Sequence, residues 1–349
     1  MEVRSPQVPI KRYTRALQPY ERLEEEWATF NELPVEGMVV CSSGSAALHL
    51  ALEAFRLPPG SEVLVPDYTM VACARAVTLA GLTPVFVDCG DDLNLDVELV
   101  AKEVGGVNPV GVVMAVHVYG RRCDMDALDF SCLKGGDETL IVEDLAEAHG
   151  VRPHLGTDAA CWSFYRNKVV AGEEGGAVWF SNPEHAKLAR CLRSMGFTDA
   201  HDYTHVARGW NYRLSNAHAQ LISESLLAYG NSICLRRRLE EMYDRHCPDA
   251  WRMPARVCPW TWDLRIPGLV RGKQALIVAA LNQIGVAARM GFFPMSLQQE
   301  YKTCRLVGSG KATKAADEVF YLPLSPGMPL GTAEGVVQIF DTIQQELVK

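Results

Sequence analysis

The chain has 349 residues, 48% of them hydrophobic and 22% charged, with 34 basic against 42 acidic side chains and a net charge of −8. That is the composition of an ordinary globular protein, long enough for a large domain and a smaller one. The acidic balance supplies no global basic field for nucleic acid or an anionic membrane surface.

Nothing in the sequence approaches the ~20 consecutive apolar residues that span a bilayer. The start, MEVRSPQVPIKRYTR, has no apolar stretch of the kind a secretory leader carries. Eleven cysteines stand singly with no CxxC pair, several of them inside apolar runs where a small buried thiol is the default. A reducing, cytoplasmic protein with neither metal site nor disulfide is expected.

Short β-rich runs alternate with helical patterns through the first half. Strands are predicted at Met38–Cys41, Glu62–Pro66, Pro84–Asp88, Val110–Val118, Leu140–Glu143, Ala159–Phe164 and Ala177–Phe180. Between the early ones lie helix-period segments at Ala46–Phe55, Met70–Ala80, Val97–Val104 and Met125–Leu133. Strands joined through helices form a mostly parallel sheet covered on both faces, and unbroken apolar runs such as VGVVMAV suit a doubly buried strand. After Pro183 come longer helical runs at His185–Met195, Asn216–Tyr229 and Leu235–His246. A Pro/Trp-rich stretch then leads into WDLRIPG, a helix at Lys273–Ile284 and GVAARMGFFP. The expected class is therefore α/β: a seven-stranded, mostly parallel sheet in residues 1–235, with a smaller C-terminal α/β domain in 236–349.

Active sites of open α/β sheets lie at the carboxyl ends of the strands. After the first strand, Ser42-Ser43-Gly44-Ser45-Ala46 opens directly into a helix, a turn that either caps the helix or presents its N–H groups to a phosphate. After the fifth comes EDLAEAHG, in which Asp144 is either an N-cap or a buried carboxylate paired with a cation such as a protonated pyridine nitrogen. After the sixth comes SFYRNK and then a glycine-rich return. There Lys168 is either a surface lysine or a nucleophile reaching over the sheet, with Ser163 a second phosphate ligand. A phosphate turn, a strand-end aspartate and a strand-end lysine in one α/β domain are the parts a pyridoxal-5′-phosphate (PLP) site needs.

These strings, taken together, resemble the DegT-type nucleotide-sugar aminotransferases of the fold-type I PLP class over nearly the whole length. SSGSAALHLAL is similar to SGTAALHLAL, and VHVYGRRCDMDAL to HLYG-x-x-x-DMD. EDLAEAHG is similar to EDAAQAHG, GWNYRLSNAHAQL to GYNYRMTNIQAAL, and SFYRNK to the SFFGNK of the GDP-perosamine-synthase branch.

The resemblance implies that Lys168 is the Schiff-base lysine and proton shuttle, and that Asp144 pairs with the pyridinium. It also implies that Gly44, Ser45 and Ser163 hold the phosphate, that Ala46 belongs to the cofactor-binding set, and that Glu147, where the family usually has glutamine, packs near the ring. Asn211 would reach the phosphate of a neighbouring subunit, giving a homodimer, while Tyr119 and Arg289 fall where the substrate binds. Glutamate would donate the amino group and a keto-sugar nucleotide accept it, with neither membrane nor nucleic acid as partner.

Three departures bear on the substrate. Met70 stands where an aromatic usually stacks on the ring, with Tyr68 two residues earlier. The return loop reads GEEGG rather than GEGG, and the N-terminal segment is short. A different PLP reaction or acceptor, such as decarboxylation or amination of a modified nucleoside, is the alternative. A ligand sensor without catalysis would have no need of both Lys168 and Asp144.

Overall fold

The computed structural model describes residues 17–106, 109–127, 139–197 and 203–328, together with Gly335, Val336, Phe340 and Ile343. The predicted helix at Met125–Leu133 lies mostly outside the described residues. In chain order the strands are β1 (Met38–Cys41), β2 (Glu62–Pro66), β3 (Thr83–Val87), β4 (Val110–Val116), β5 (Leu140–Asp144), β6 (Ala159–Ser163), β7 (Gly176–Phe180), β8 (Thr261–Arg265), β9 (Arg289–Met290), β10 (Leu306–Val307) and β11 (Val319–Pro323). The helices are α1 (Pro19–Phe30), α2 (Gly44–Phe55), α3 (Ala72–Leu79), α4 (Val97–Val104), α5 (Pro183–Arg193), α6 (Asn216–Leu227), α7 (Tyr229–His246), α8 (Arg271–Gln283) and α9 (Lys311–Glu318).

The main sheet has the order β1-β7-β6-β5-β4-β2-β3-β10, and all its pairings are parallel except the two made by β7. It has eight strands where seven are expected. The extra one, β10, is a two-residue pairing with Phe86 and Val87 of β3, too short to leave a period in the sequence.

The pleat explains why the strands read as continuous apolar runs. In β4, Val112, Met114 and Val116 enter one core while Val113 and Ala115 enter another on the opposite face. Val110 breaks this parity because the β2–β4 register slips between Glu62 and Val63, and one extra residue flips every side chain before it. In β1, Val39 and Cys41 face α2 and its neighbours, whereas Met38 and Val40 join the cluster around Trp27 of α1. That cluster is held by edge-on aromatic packing of Trp27 against Trp162 and Phe164.

A second sheet, β8-β11-β9, is antiparallel throughout and packs with α7 and α8 around its own apolar cluster, from Leu239 to Ile343. Two buried polar joints fasten this part of the chain to the main sheet. Arg121, just after β4, grips Asp263 of β8 with two 2.8 Å hydrogen bonds, and Arg256 closes on the same carboxylate. At the other joint Asp88, after β3, accepts the N–H groups of Ser309, Gly310, Lys311 and Ala312, which open α9.

Candidate active site

The carboxyl ends of β1, β4, β5 and β6 surround a cavity of about 460 Å³, lined among others by Gly44, Ser45, Met70, Val116, Asp144, Glu147, Ser163 and Lys168. Its volume suits a small-molecule site. A larger cleft of about 730 Å³ lies between α1 and α5, but its single lysine, Lys187, is exposed and it gathers none of the strand-end groups.

At one end, the Ser43 hydroxyl caps α2 by accepting the N–H of Ala46 at 3.1 Å. Capping and ligand binding are compatible here, because Ser43, Gly44 and Ser45 all border the cavity at the positive end of the helix dipole. Ala46 itself is buried, is not among the residues lining the cavity, and has its N–H taken up by the Ser43 hydroxyl. Gly44 is required by closeness: a β-carbon there would come within 2.7 Å of the Ser163 β-carbon, so the turn after β1 can lie against the end of β6 only without a side chain.

Across the cavity, Asp144 ends β5 and is 6% exposed. One carboxylate oxygen accepts the N–H of Ala146 at 2.9 Å and the other accepts the Cys73 thiol at 3.2 Å. Turns rather than a helix follow Asp144 directly, so its carboxylate caps a tight turn. Burial, and Asp144 after it, push the Cys73 thiol well above its ordinary value, so Cys73 serves Asp144 as a neutral donor.

Lys168 lies in the return between β6 and β7, whose antiparallel register pairs Ser163 with Gly176. Phe164 donates to Gly175 and Gly172 donates to Phe164, which folds the loop back over the sheet. The lysine is no surface residue: its side chain is 11% exposed, and burial lowers its pKa against the opposing pull of Glu147 and Asp144. Its ammonium sits 4.0 Å from the centroid of the Trp260 ring and 3.9 Å from a carboxylate oxygen of Glu147.

Glu147 is fixed by the Tyr119 backbone N–H at 2.8 Å, and burial raises its pKa to about 7. Beneath the loop, His149 receives the Val170 N–H on Nδ1, so Nε2 carries the proton and donates to the Ser163 carbonyl at 3.0 Å. Burial, then the charge of Lys168, hold this imidazole neutral, with a pKa of about 3.

Other expected residues lie apart from the cavity. Tyr68 is fully buried with its hydroxyl against that of Tyr119 at 3.1 Å, and neither ring borders the cavity. Met70, 50% exposed, does border it, so of the two ring-covering candidates it is the thioether that is placed there. Asn211 is exposed on a separate cleft with Tyr20, Arg193 and Arg213, although the adjacent Tyr212 carbonyl binds the Ser42 N–H beside the α2 turn. Arg289 is exposed on β9, opposite Tyr321 of β11, whose ring reaches the cavity.

Trp260, Phe292 and Tyr321 line the cavity without having been singled out from the sequence. The one signal they carried was the Trp-rich composition around CPWTW. The indole N–H of Trp260 donates to the Asn167 carbonyl across 93 residues of chain, and no local pattern encodes such a contact.

Similarity to known proteins agrees with this geometry. The model of the DegT/DnrJ/EryC1/StrS aminotransferase family matches residues 11–341. A GDP-perosamine synthase of Caulobacter vibrioides is 28% identical over 338 residues, 92% of this chain and 89% of the relative. The crystal structure of S. venezuelae DesV superposes with a TM-score of 0.81 at 29% identity, covering 93% of this chain and 88% of that one. The structure of 3-amino-5-hydroxybenzoic acid synthase superposes at 0.83 with 25% identity, covering 94% and 91%. A family match spanning the α2 turn, the β5 aspartate and the β6–β7 lysine leaves one assignment: the chain belongs to the DegT/DnrJ/EryC1/StrS aminotransferase family.

Proposed function

We propose that the protein holds PLP in the cavity at the ends of β1, β5 and β6 and moves an amino group from glutamate to the keto group of a sugar linked to a nucleoside diphosphate. One observation carries the reading: a mostly buried lysine, a buried aspartate and the opened N-terminus of α2 border a single cavity. The residues fit the cofactor. The α2 turn, with the glycine that lets it approach Ser163, suits a phosphate, and Asp144 suits a protonated pyridine nitrogen. When bound, PLP draws electrons away from the carbon that carries the substrate's amino group. Lys168 carries the cofactor and moves a proton at Nζ; Trp260 and Met70 wall its cavity, and His149 fixes the strand end beneath it. The likeness to a GDP-perosamine synthase supports a sugar nucleotide as the acceptor.

Glutamate alone tests the donor half. Added to the PLP-loaded protein, it is expected to bleach the visible band and release one 2-oxoglutarate per site. A spectrum unchanged by glutamate but altered by another amine or amino acid replaces this reading with another PLP reaction or acceptor. The exposed thioether of Met70, in place of an aromatic, is the feature that would accommodate such a change.

The site is completed in a homodimer on this reading. Asn211 is exposed beside the α2 turn instead of lining its own cavity, as a group serving a partner's phosphate would be. Light scattering during turnover should give twice the chain mass, with an interface on the order of 2,000 Å² or more; a fully active monomer would refute it. Among the described residues no helix is long and apolar enough to cross a membrane, no side chains cluster as metal ligands, and the ten described cysteines are free.

A further inference from the structure

We propose that Glu147 and Trp260 form a clamp that keeps positive charge on the Lys168 nitrogen, making Glu147 a charge-setting group of the site. This rests on the reading of Lys168 as the cofactor's attachment point.

Two independent contacts converge on one atom. A carboxylate oxygen of Glu147 lies 3.9 Å from Nζ, and the face of the Trp260 indole lies 4.0 Å from it at the ring centroid. Both partners are held by hydrogen bonds of their own. The second oxygen of Glu147 takes the Tyr119 N–H at 2.8 Å, and Tyr119 has the left-handed backbone that aims that N–H inward (φ 54°). The Trp260 N–H is tied to the Asn167 carbonyl at 2.8 Å, in the residue next to the lysine itself. The ionised form of Glu147 and the π face of Trp260 both favour the cationic nitrogen, and more strongly in a buried site than in water.

The other charged and titratable groups around this nitrogen are few. Asp144 at the end of β5 adds a second negative charge; Cys73 of α3 and Cys258 ahead of β8 are buried thiols held neutral; and His149 is neutral. Beyond Glu147 lie the Arg121 guanidinium, which favours its ionised form, and the Tyr321 hydroxyl. Burial pushes the lysine toward the neutral amine, and Glu147, ahead of Asp144, opposes it, with the Trp260 face beside the same atom. With PLP attached, the same nitrogen would lie in the linkage to the cofactor, and the charge set there by Glu147 and Trp260 would govern how readily an incoming amine displaces the lysine. Glutamine at 147 could still orient the site but would supply no charge.

The test reads the cofactor's visible band in the holoenzyme against pH. Glu147→Gln is expected to lower the midpoint of the protonation-dependent band by about 1 to 3 units, the shift an opposite charge at this range produces. Trp260→Leu is expected to lower it by a smaller amount, and Glu147→Asp to recover part of the wild-type value. A Glu147→Gln holoenzyme whose band titrates with the wild type overturns the clamp. Should that variant load no cofactor, an unchanged midpoint in Trp260→Leu overturns it instead. Borohydride reduction separates the two claims: no cofactor fixed on Lys168 means the reading of the site has failed, whereas fixation on Lys168 with unshifted midpoints means that the clamp alone has.

Discussion

Lys168→Ala is expected to abolish amino transfer, to leave no cofactor fixed after borohydride reduction, and to leave the fold intact. Two losses combine in this variant: the attachment point, and the group that moves a proton at the substrate carbon. A positioned acid–base group alone contributes up to about 10⁴-fold, so turnover should fall at least that far. The fold should survive because, among the described residues, the side chain is held by no hydrogen bond that spans elements; it approaches Glu147 at 3.9 Å and lies over the Trp260 face. Glu147 would then lose the cation that lowers its pKa, and its protonated form should persist above the present value of about 7. Peptide mapping after borohydride gives the decisive reading: label on any other lysine, or turnover within tenfold of wild type, would show that the cavity has been misassigned.

Asp144→Asn should cost about 10²-fold or more while preserving the shape of the turn. The carboxylate's two oxygens are already occupied by the Ala146 N–H and the Cys73 thiol, so an asparagine oxygen can keep the first of these and the turn with it. What disappears is charge in a buried place. An opposite charge at contact range shifts a neighbouring titration by 1 to 3 units, which for a pyridine nitrogen decides whether it is protonated at neutral pH. Asp144→Ala should be worse, since it also strands the Ala146 N–H and the Cys73 thiol. Circular dichroism and melting should show a native fold for Asp144→Asn. Near-normal turnover in either variant would place the ring elsewhere.

Much of the frame was legible because it is written in short-range patterns. The β4 run VGVVMAV, the Ser-Gly turn into α2 and the EDLAEAHG and SFYRNK strings each lie within a dozen residues. Their periodicity or spacing follows from the pleat, the helix cap and the strand end. The sequence itself determined that the chain is α/β, that its main sheet is mostly parallel, and that Lys168, Asp144 and the 43–45 turn sit at strand ends. Parallel order and strand-end placement follow from alternation alone, whatever the far neighbours are.

Tertiary structure decided the rest. It placed Met70 rather than Tyr68 at the cavity, because Tyr68 is drawn into a buried hydroxyl pair with Tyr119. It turned the Asp144 segment into a turn, brought Trp260 onto the lysine across 92 residues of chain, and added Leu306–Val307 as an eighth strand. A contact between distant segments is fixed by packing density and by the satisfaction of buried polar groups summed over the whole fold. That sum leaves no trace in any local stretch of residues.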